Sequence, residues 1–409
     1  MKQTRNYPKA IITKKAERSV EQGHPWIYDT EILSLEEGWE NGGLVDAVSE
    51  KGKYLGTGLI SRHSKIRLRL ISRNANDRFD APFFGRRIRY AWEYRKTVMG
   101  KDVGCCRLIF GEADQFPGLT VDRFNDILVT QTLSVGMERL KDTVFPLLYQ
   151  VLTEDGQNIR GIYERNDVSI RELEGMGQNQ GWYPLHGIPC PDATVTEIEE
   201  NKIRYLVDFE NGQKTGFFLD QKYNRLAVAK LAKGKRVLDC FTHTGSFALN
   251  AAMGGAAHVC AVDISQAAVD MAEENARRNG LTDRMVFRKA NVFDLLPALE
   301  EEKQEKFDFI ILDPPAFTKS RKTVHNASKG YKEINLRAMK LLPRGGYLAT
   351  CSCSHFMPDE LFTRMLRSAA RDAGVELRQI EARQQAPDHP ILWNVPETDY
   401  LKFYIFQVV

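Results

Sequence analysis

Two cysteines close to the end of an apolar run are the residues with the clearest capacity for chemistry. Residues 346–350 are typical of a buried strand, and the chain then continues directly to Cys351 and Cys353. A thiol at the carboxyl end of a strand lies where α/β sheets bind their ligands, and its thiolate is a strong nucleophile. A free thiol has a pKa of about 8.5, so nearby cations are expected to favour the anion. The candidate cations are Lys319, Arg321, Lys322 and Lys329.

Polar residues also follow the strands predicted earlier in the chain. The strand at 237–240 contains Asp239, and a tight turn with Gly245 leads from it into a helix. A second strand, 258–262, is followed by Asp263, about 20 residues beyond the glycine turn, where an acid can accept hydrogen bonds from ribose hydroxyls. This pattern indicates a turn that binds a nucleotide-like ligand.

Strands and helices continue to alternate after Asp263. A helix is predicted at 265–279, a strand at 285–287 leading to Asn291, and a strand at 307–312 leading to Asp313-Pro314-Pro315. This alternation predicts an α/β fold with a doubly wound, Rossmann-like parallel sheet. The turn lacks a complete GxGxxG sequence, and no Lys-Ser or Lys-Thr pair follows Gly245, which disfavours dinucleotide and P-loop sites.

The ordered set of glycine turn, second-strand acid and Asp-Pro-Pro resembles the class I S-adenosylmethionine-dependent methyltransferases. The resemblance implies S-adenosylmethionine as cofactor and no metal. It implies these cofactor-binding residues: Phe218, Asp220, Gln221, Asp239, Phe241, Thr242, Gly245, Asp263, Ile264, Asn291 and Asp313.

Each of these positions suits one part of the methyl donor. Asp239 can meet the methionine ammonium, and Gly245 lets the backbone approach closely. Asp263 can bind the ribose, while Asn291 replaces the acid that this family usually places near the adenine.

The segment before the glycine turn is predicted to complete the donor site. The aromatic rings of Phe217 and Phe218 can line the sulfonium, although either could equally be a core residue. Asp220 is expected to cap the helix that contains Asn224.

The acceptor loop, Asp313-Pro-Pro-Ala-Phe317, is compatible with two reactions. In amino methyltransferases such a loop holds an exocyclic amine, and its aromatic residue stacks on the base. The same loop can also bind a cytosine whose carbon 5 is methylated, which requires a thiolate to add at carbon 6 first.

The Thr-Cys-Ser-Cys-Ser sequence at 350–354 resembles the second cysteine motif of RNA 5-methylcytosine methyltransferases. The resemblance implies that Cys353 is the nucleophile, with Cys351 as the second candidate. Many relatives carry another cysteine directly after Asp-Pro-Pro, where this chain has Ala316. Another base must then remove the carbon 5 proton, either Asp313 or a water molecule.

Residues 1–75 are predicted to form a small β-rich domain. The strand at 66–71 alternates apolar residues with Arg67 and Arg69, and the Gly23-His24-Pro25-Trp26 turn resembles the PUA domain of RNA-modifying enzymes. Six basic residues without an intervening acid form a candidate phosphate-binding cluster, although a solvated surface would carry the same charges. They are Arg62, His63, Lys65, Arg67, Arg69 and Arg73.

The chain of 409 residues is long enough for several domains. We expect a PUA-like RNA-binding domain at 1–75, an α+β central domain at 76–190 and a methyltransferase domain at 191–409. The whole chain resembles the bacterial family with an N-terminal PUA domain that methylates cytosine in large-subunit ribosomal RNA. An RNA amino-group methyltransferase and a non-catalytic RNA-binding protein are the alternatives.

Composition sets further limits. The chain is 43% hydrophobic and 27% charged, as in soluble globular proteins, and its net charge of +3 does not by itself indicate a nucleic-acid partner. It has no apolar run long enough to span a membrane, so a cytoplasmic location without membrane partners is expected. Seven cysteines without regular CxxC pairs argue against both a disulfide framework and a zinc site. The sequence leaves open whether the chain forms a homodimer.

Overall fold

The computed structural model describes residues 5–302, 305–318 and 320–409, which fall into two compact units. The first unit comprises the chain up to residue 198 together with 207–219 and 387–398. The second comprises 199–206, 220–386 and 399–409. None of the helices in the described residues is long and apolar enough to cross a membrane.

The first unit begins with a six-stranded sheet in the order β2-β6-β5-β4-β1-β3. Alternating strand residues such as Leu68 and Leu70 point into its core, and Thr13 caps its helix by accepting from Ala16 N. The elements are β1 (Lys9–Ile12), α1 (Lys14–Glu21), β2 (Trp26–Tyr28), β3 (Ile32–Leu35), β4 (Leu44–Val48), β5 (Tyr54–Ile60) and β6 (Ile66–Ser72).

The basic cluster predicted around β6 is only partly open to solvent. Arg69 forms an ion pair with Glu174 at 2.9 Å, and both side chains are largely buried. Arg67 donates to the carbonyl oxygen of Ser61 at 2.7 Å. Arg69 is therefore paired with an acid that is distant in the sequence, and Arg67 is bound to the backbone. The exposed basic residues of the cluster are Arg62, His63, Lys65 and Arg73.

A five-stranded sheet in the order β11-β10-β9-β8-β7 forms the rest of this unit with two long helices. Phe84, Phe116 and Phe145 lie in its core. The elements are α2 (Ala81–Met99), β7 (Cys105–Phe110), β8 (Leu119–Phe124), β9 (Ile127–Thr132), α3 (Val135–Glu154), β10 (Gly161–Arg165) and β11 (Gln180–Tyr183). A hairpin of β12 (Val195–Glu200) and β13 (Ile203–Asp208) follows.

Buried charges attach the returning segment 387–398 to the first unit. The carboxylate of Asp388 accepts from the backbone N of Arg107 at 2.8 Å, and its carbonyl oxygen accepts from the guanidinium of Arg95 at 2.9 Å. Arg95 also binds both carboxylate oxygens of Asp114, which leaves its fully buried charge paired.

The second unit contains a seven-stranded sheet in the order β16-β15-β14-β17-β18-β20-β19. Strands β14 to β18 are parallel, and β20 is antiparallel to both β18 and β19. The strands are β14 (Arg236–Cys240), β15 (His258–Asp263), β16 (Met285–Lys289), β17 (Phe309–Leu312), β18 (Tyr347–Ser352), β19 (Leu377–Arg383) and β20 (Lys402–Val408). The predicted Rossmann-like fold class is confirmed.

Six α-helices in the described part of the second unit accompany this sheet and bury its central strands. They are α4 (Lys222–Leu231), α5 (Ser246–Met253), α6 (Gln266–Arg278), α7 (Val292–Glu302), α8 (Val324–Leu341) and α9 (Asp359–Ala373). Strand order reverses between β14 and β17, and ligands of such sheets bind beyond the carboxyl ends of the strands at this point. Asp239, Asp263, Asp313 and Cys353 all lie at or just beyond strand ends on this side.

Candidate active site

The turn between β14 and α5 has an unusual backbone. Phe241, His243 and Gly245 have φ angles of 65°, 51° and 81°, in the left-handed region. A Cβ atom at Gly245 would lie 2.9 Å from the Cβ of Ala272, so glycine allows the start of α5 to approach α6 closely. Thr242 N donates to the carbonyl oxygen of Val262 at 2.9 Å, which ties the turn to β15.

Asp239 is fully buried at the end of β14. Its Oδ2 accepts from Thr242 Oγ1 at 2.6 Å and from Ala248 N at 2.9 Å, while its Oδ1 is buried without a hydrogen-bond partner. Burial raises the pKa of Asp239 to about 7. A buried acceptor atom that lacks a partner is costly, and a ligand cation would remove that cost.

Asp263 ends β15 and has a different environment. Its Oδ2 accepts from His243 N at 2.9 Å and its Oδ1 from Ser265 N at 3.0 Å, so two backbone donors fix the orientation of the carboxylate. Each oxygen keeps a second lone pair for a ligand hydroxyl. The next residue, Ile264, exposes 66% of its side chain and offers an apolar surface beside the carboxylate.

Asn291 forms local hydrogen bonds at the start of α7. Its Oδ1 accepts from Phe293 N at 3.1 Å, and its Nδ2 donates to Asp294 Oδ2 at 2.9 Å. The residue is exposed beyond the end of β16, but its amide is already engaged in capping the helix. Any contact with a ligand here would have to compete with these bonds.

The predicted helix-capping role of Asp220 is wrong. Gln221 occupies the N-cap position of α4 and makes no side-chain cap hydrogen bond. Asp220 Oδ2 instead accepts from Tyr400 Oη at 2.6 Å, and its Oδ1 is buried without a partner. Phe218 is half-buried and belongs to the first unit, whereas the other candidate site residues belong to the second.

Cys351 belongs to a buried cluster with Asp313 and Gln221. Its Sγ donates to Asp313 Oδ1 at 2.9 Å, and Gln221 Nε2 donates to the same oxygen at 3.2 Å and to the sulfur at 3.4 Å. Burial and the Asp313 charge raise the pKa of the Cys351 thiol well above its ordinary value. Burial also raises the pKa of Asp313, to about 6. Cys351 therefore remains a protonated hydrogen-bond donor at neutral pH.

Cys353 lies just beyond β18 and is half-buried. Lys402, which opens β20, is paired with Ser352 in the sheet, and its ammonium donates to the carbonyl oxygens of Ser354 and Tyr400, each at 2.7 Å. Burial lowers the pKa of Lys402 to about 8, and the neighbouring Cys353 partly offsets this effect. The ammonium of Lys402 thus binds the backbone of the residue after Cys353, and a positive charge near the cysteine motif favours a thiolate there.

The sequence analysis missed Lys402. Of the cations it proposed, Lys319 lies outside the described residues, as does the side chain of Arg321, while Lys322 and Lys329 are exposed. The sequence feature that could have indicated Lys402 is its position as a charged residue at the start of the apolar stretch 402–408.

The ring of Phe317 packs against other aromatic side chains. Its centroid lies 4.6 Å from Tyr331, 5.7 Å from Phe293 and 6.4 Å from Phe241. Phe317 is half-buried and joins the apolar core of the second unit. Much of its surface is thus occupied by the protein itself.

These residues fit S-adenosylmethionine. Its methionine part carries an ammonium group, which suits the unpartnered oxygen of Asp239, and its ribose hydroxyls suit the free lone pairs of Asp263. The adenine can lie against the exposed side chain of Ile264. No group of three or more His, Cys, Asp or Glu residues that could hold a metal occurs among the described residues.

Solved structures with the same fold span nearly the whole chain. A protein from Streptococcus mutans assigned as a SAM-dependent methyltransferase aligns with a TM-score of 0.81 and 23% identity over 98% of this chain and 100% of that chain. The structure of SMU.776 complexed with SAH aligns with a TM-score of 0.82 and 23% identity over the same shares of the two chains. At this identity the likeness shows the fold alone.

Sequence comparisons identify the family. A family model described as S-adenosylmethionine-dependent methyltransferase matches residues 185–406, and one described as PUA-like domain matches residues 10–73. The protein named ribosomal RNA large subunit methyltransferase I from Salmonella arizonae is 40% identical over 99% of this chain and 98% of its own length. Its counterpart from Salmonella newport is 40% identical over 98% of each chain. The chain therefore belongs to the S-adenosylmethionine-dependent methyltransferases, in the family of the proteins named ribosomal RNA large subunit methyltransferase I, and its cofactor is S-adenosylmethionine.

Proposed function

We propose that this enzyme methylates carbon 5 of a cytosine in large-subunit ribosomal RNA, with Cys353 as the nucleophile. The class of substrate is suggested by the names of relatives that are 40% identical over nearly the whole length. The observation that carries the choice of atom is the half-buried thiol of Cys353 at the carboxyl end of the sheet, with the ammonium of Lys402 bound to the carbonyl oxygen of the next residue, Ser354. An amino-group methyltransferase has no need for such a thiol.

The chemistry follows from the weak nucleophilicity of carbon 5. Bound S-adenosylmethionine supplies an electrophilic methyl group. Cys353, as a thiolate favoured by Lys402, adds to carbon 6 of the cytosine and makes carbon 5 nucleophilic enough to be methylated. Removal of the carbon 5 proton then restores the ring double bond and releases the thiolate.

Asp313 is suited to take that proton. Its pKa of about 6 lies close to neutrality, so the carboxylate is mostly ionised at pH 7 yet basic enough to accept a proton. Gln221 and Cys351 donate hydrogen bonds to one of its oxygens and hold the carboxylate in place. Cys351 is a positioning residue in this scheme, because its thiol is buried and strongly protonated.

The donor site is proposed from the residues around the glycine turn. Asp239 would hold the methionine ammonium, Asp263 the ribose hydroxyls, and Ile264 one face of the adenine. The polypeptide around Gly245 would approach the donor closely. The remaining residues of the second unit would line the same site, namely Asp220, Gln221, Phe241, Thr242 and Asn291, and Phe218 is proposed as a donor-binding residue from the sequence resemblance alone.

The amino-group alternative needs Phe317 as a stacking platform for the base. Its contacts with Tyr331, Phe293 and Phe241 leave little ring surface for that role. This packing favours the carbon product. The non-catalytic alternative predicts no methyl transfer at all.

The domain division and location complete the proposal. The PUA-like part, 1–75, and the central part, 76–190, would hold the RNA while the part at 191–409 carries out methyl transfer in the cytoplasm. A target base must leave its stack to enter such a site, which costs a few kcal/mol. Contacts from the other two parts can offset this cost.

The decisive experiment is methyl transfer from labelled S-adenosylmethionine to large-subunit ribosomal RNA that lacks the modification. We expect the label in 5-methylcytidine after digestion to nucleosides, and none with Cys353→Ala. Cys190→Ala is the matched control, since Cys190 is an exposed cysteine far along the chain from the motif, and it should retain full activity. A methylated amine would support the amino-group alternative, and no product from the unmodified protein would support the non-catalytic one.

A further inference from the structure

Trp393 is the most exposed large apolar side chain among the described residues, with 93% of its surface open to solvent. The other four of the five tryptophans are buried or half-buried. An indole in this position contributes almost nothing to the core. Its large, rigid ring is instead well suited to binding, because little conformational entropy is lost when it is covered.

The backbone that carries Trp393 is held firmly. Residues 392–395 form a tight turn in which Val395 N donates to the carbonyl oxygen of Leu392 at 2.7 Å. The hydroxyl of Thr398 accepts from Leu392 N at 2.9 Å and donates to the carbonyl oxygen of Val395 at 2.7 Å. Trp393 thus projects from a braced turn.

The turn is also fixed to the PUA-like part of the first unit. Gly23, with a φ angle of 104°, packs so closely on Asn394 that any side chain at position 23 would overlap the Asn394 amide. His24 Nε2 lies 3.2 Å from Glu397 Oε2. The position of Trp393 is therefore set relative to the loop that precedes β2.

A cation lies beside the same loop. Arg73 is exposed just after β6, and its guanidinium donates to the carbonyl oxygen of Val20 at 3.0 Å. Gly23 N donates to that same oxygen at 2.9 Å. Arg73 forms no ion pair with any described residue, so its charge is available to a ligand.

We infer that Trp393 stacks on an unpaired base of the RNA while Arg73 binds a neighbouring phosphate. An exposed aromatic ring and a cation without an ion-pair partner, both attached to the loop that contains Gly23, make up the combination that binds single-stranded nucleic acid. The inference rests on the proposed function, since it deepens the description of the same RNA substrate. It assigns an RNA contact to the segment 387–398, which the sequence analysis left without a role.

The first test uses the emission of Trp393 in the full-length protein. A single-stranded oligoribonucleotide of mixed sequence is expected to quench part of the tryptophan fluorescence. Trp393→Phe should abolish this quenching yet bind the same RNA with nearly unchanged affinity, because phenylalanine keeps a stacking surface.

The affinity of the variants for RNA shows how much the ring of Trp393 and the charge of Arg73 each contribute to binding. Trp393→Ala is expected to weaken RNA binding about tenfold, the size of one lost base stack. Leu173→Ala is the matched control, since Leu173 is an apolar side chain that is 63% exposed in the same unit, and it should bind like the original protein. Arg73→Gln should lower the slope of log affinity against log salt by about 0.7, as expected for one lost phosphate contact.

Methyl transfer to ribosomal RNA is measured in parallel. Trp393→Ala should raise KM for the RNA and leave kcat unchanged, because the residue touches no reacting group. Unchanged affinity and KM in Trp393→Ala, or no quenching in the original protein, would overturn this inference while methyl transfer still supported the proposed function. Absence of methyl transfer by the original protein would instead contradict the proposed function.

Discussion

Only Ser352 separates the two thiols of the candidate active site, yet their surroundings are opposite. Cys351 lies inside β18, is 1% exposed and donates to the Asp313 carboxylate, which keeps it protonated. Cys353 lies just beyond the strand and is half-buried, and the carbonyl oxygen of the next residue, Ser354, accepts from the ammonium of Lys402. The end of β18 thus separates, within two residues, a buried and protonated thiol from a half-buried thiol, which is the one proposed as the nucleophile.

The largest effect is expected when the covalent intermediate is trapped, which tests directly whether Cys353 or Cys351 is the nucleophile. RNA that contains 5-fluorocytosine at the target position should form a complex with the enzyme that survives denaturation in the presence of S-adenosylmethionine, because fluorine cannot be removed as a proton. We expect Cys353→Ala to form no such complex and Cys351→Ala to form it normally. The measurement is the fraction of protein that is shifted on a denaturing gel. The opposite pattern would make Cys351 the nucleophile.

A smaller effect is expected from Lys402, whose ammonium binds the carbonyl oxygen of Ser354 directly after Cys353. Lys402→Met keeps most of the side-chain volume but removes the charge, so the pKa of Cys353 should rise and methylation at pH 7 should fall about tenfold for each unit of that rise. Raising the pH should restore part of the rate, because the thiolate then forms without help. Single-turnover rates across a pH series measure this.

Lys322→Met serves as the control for Lys402→Met. Lys322 is exposed, so its substitution should leave the dependence of the single-turnover rate on pH unchanged. A loss of rate in Lys402→Met that is independent of pH would indicate that Lys402 supports the fold around Ser354 rather than the thiolate.

The smallest effect concerns the buried thiol. Asp313 must be ionised to act as a base, so the rate should decline as pH falls through about 6. The Cys351 hydrogen bond lowers the pKa of Asp313, and Cys351→Ala should therefore move this decline to higher pH while changing the rate at pH 8 only slightly. Loss of a buried hydrogen bond should also lower the free energy of unfolding by about 1–3 kcal/mol. If the fall in rate at low pH is at the same pH in Cys351→Ala as in the original protein, the group that titrates there is not Asp313.

The features that could be predicted from the sequence are those carried by short contiguous patterns. The strands that end at or near Asp239, Asp263 and Asp313 were recognisable as apolar runs, and the turn at Gly245 as a break between a strand and a helix. These patterns place residues at the same edge of a parallel sheet without any knowledge of distant contacts.

Features that depend on pairing between distant segments could not be predicted. Lys402 reaches the cysteine motif only because β20 pairs with β18. Asp220 accepts a hydrogen bond from Tyr400, 180 positions away, instead of capping α4. Arg69 is neutralised by Glu174, which lies far away in the sequence. The predicted strand at 346–350 also ended too early, since β18 extends through Cys351 and Ser352, and this difference decides which thiol is buried.

The pairing of β18 with β20 has a consequence for the newly made protein. The ammonium of Lys402 reaches the carbonyl oxygen of Ser354 only when β20 is paired with β18, so this charge is absent from the cysteine motif before the strands pair. A protonated thiol reacts slowly with oxidants and electrophiles, so under the proposed mechanism Cys353 is less reactive before this pairing forms than after it. Alkylation of Cys353 should accordingly be faster in the folded protein than in the unfolded one, the reverse of the usual order for a partly buried cysteine.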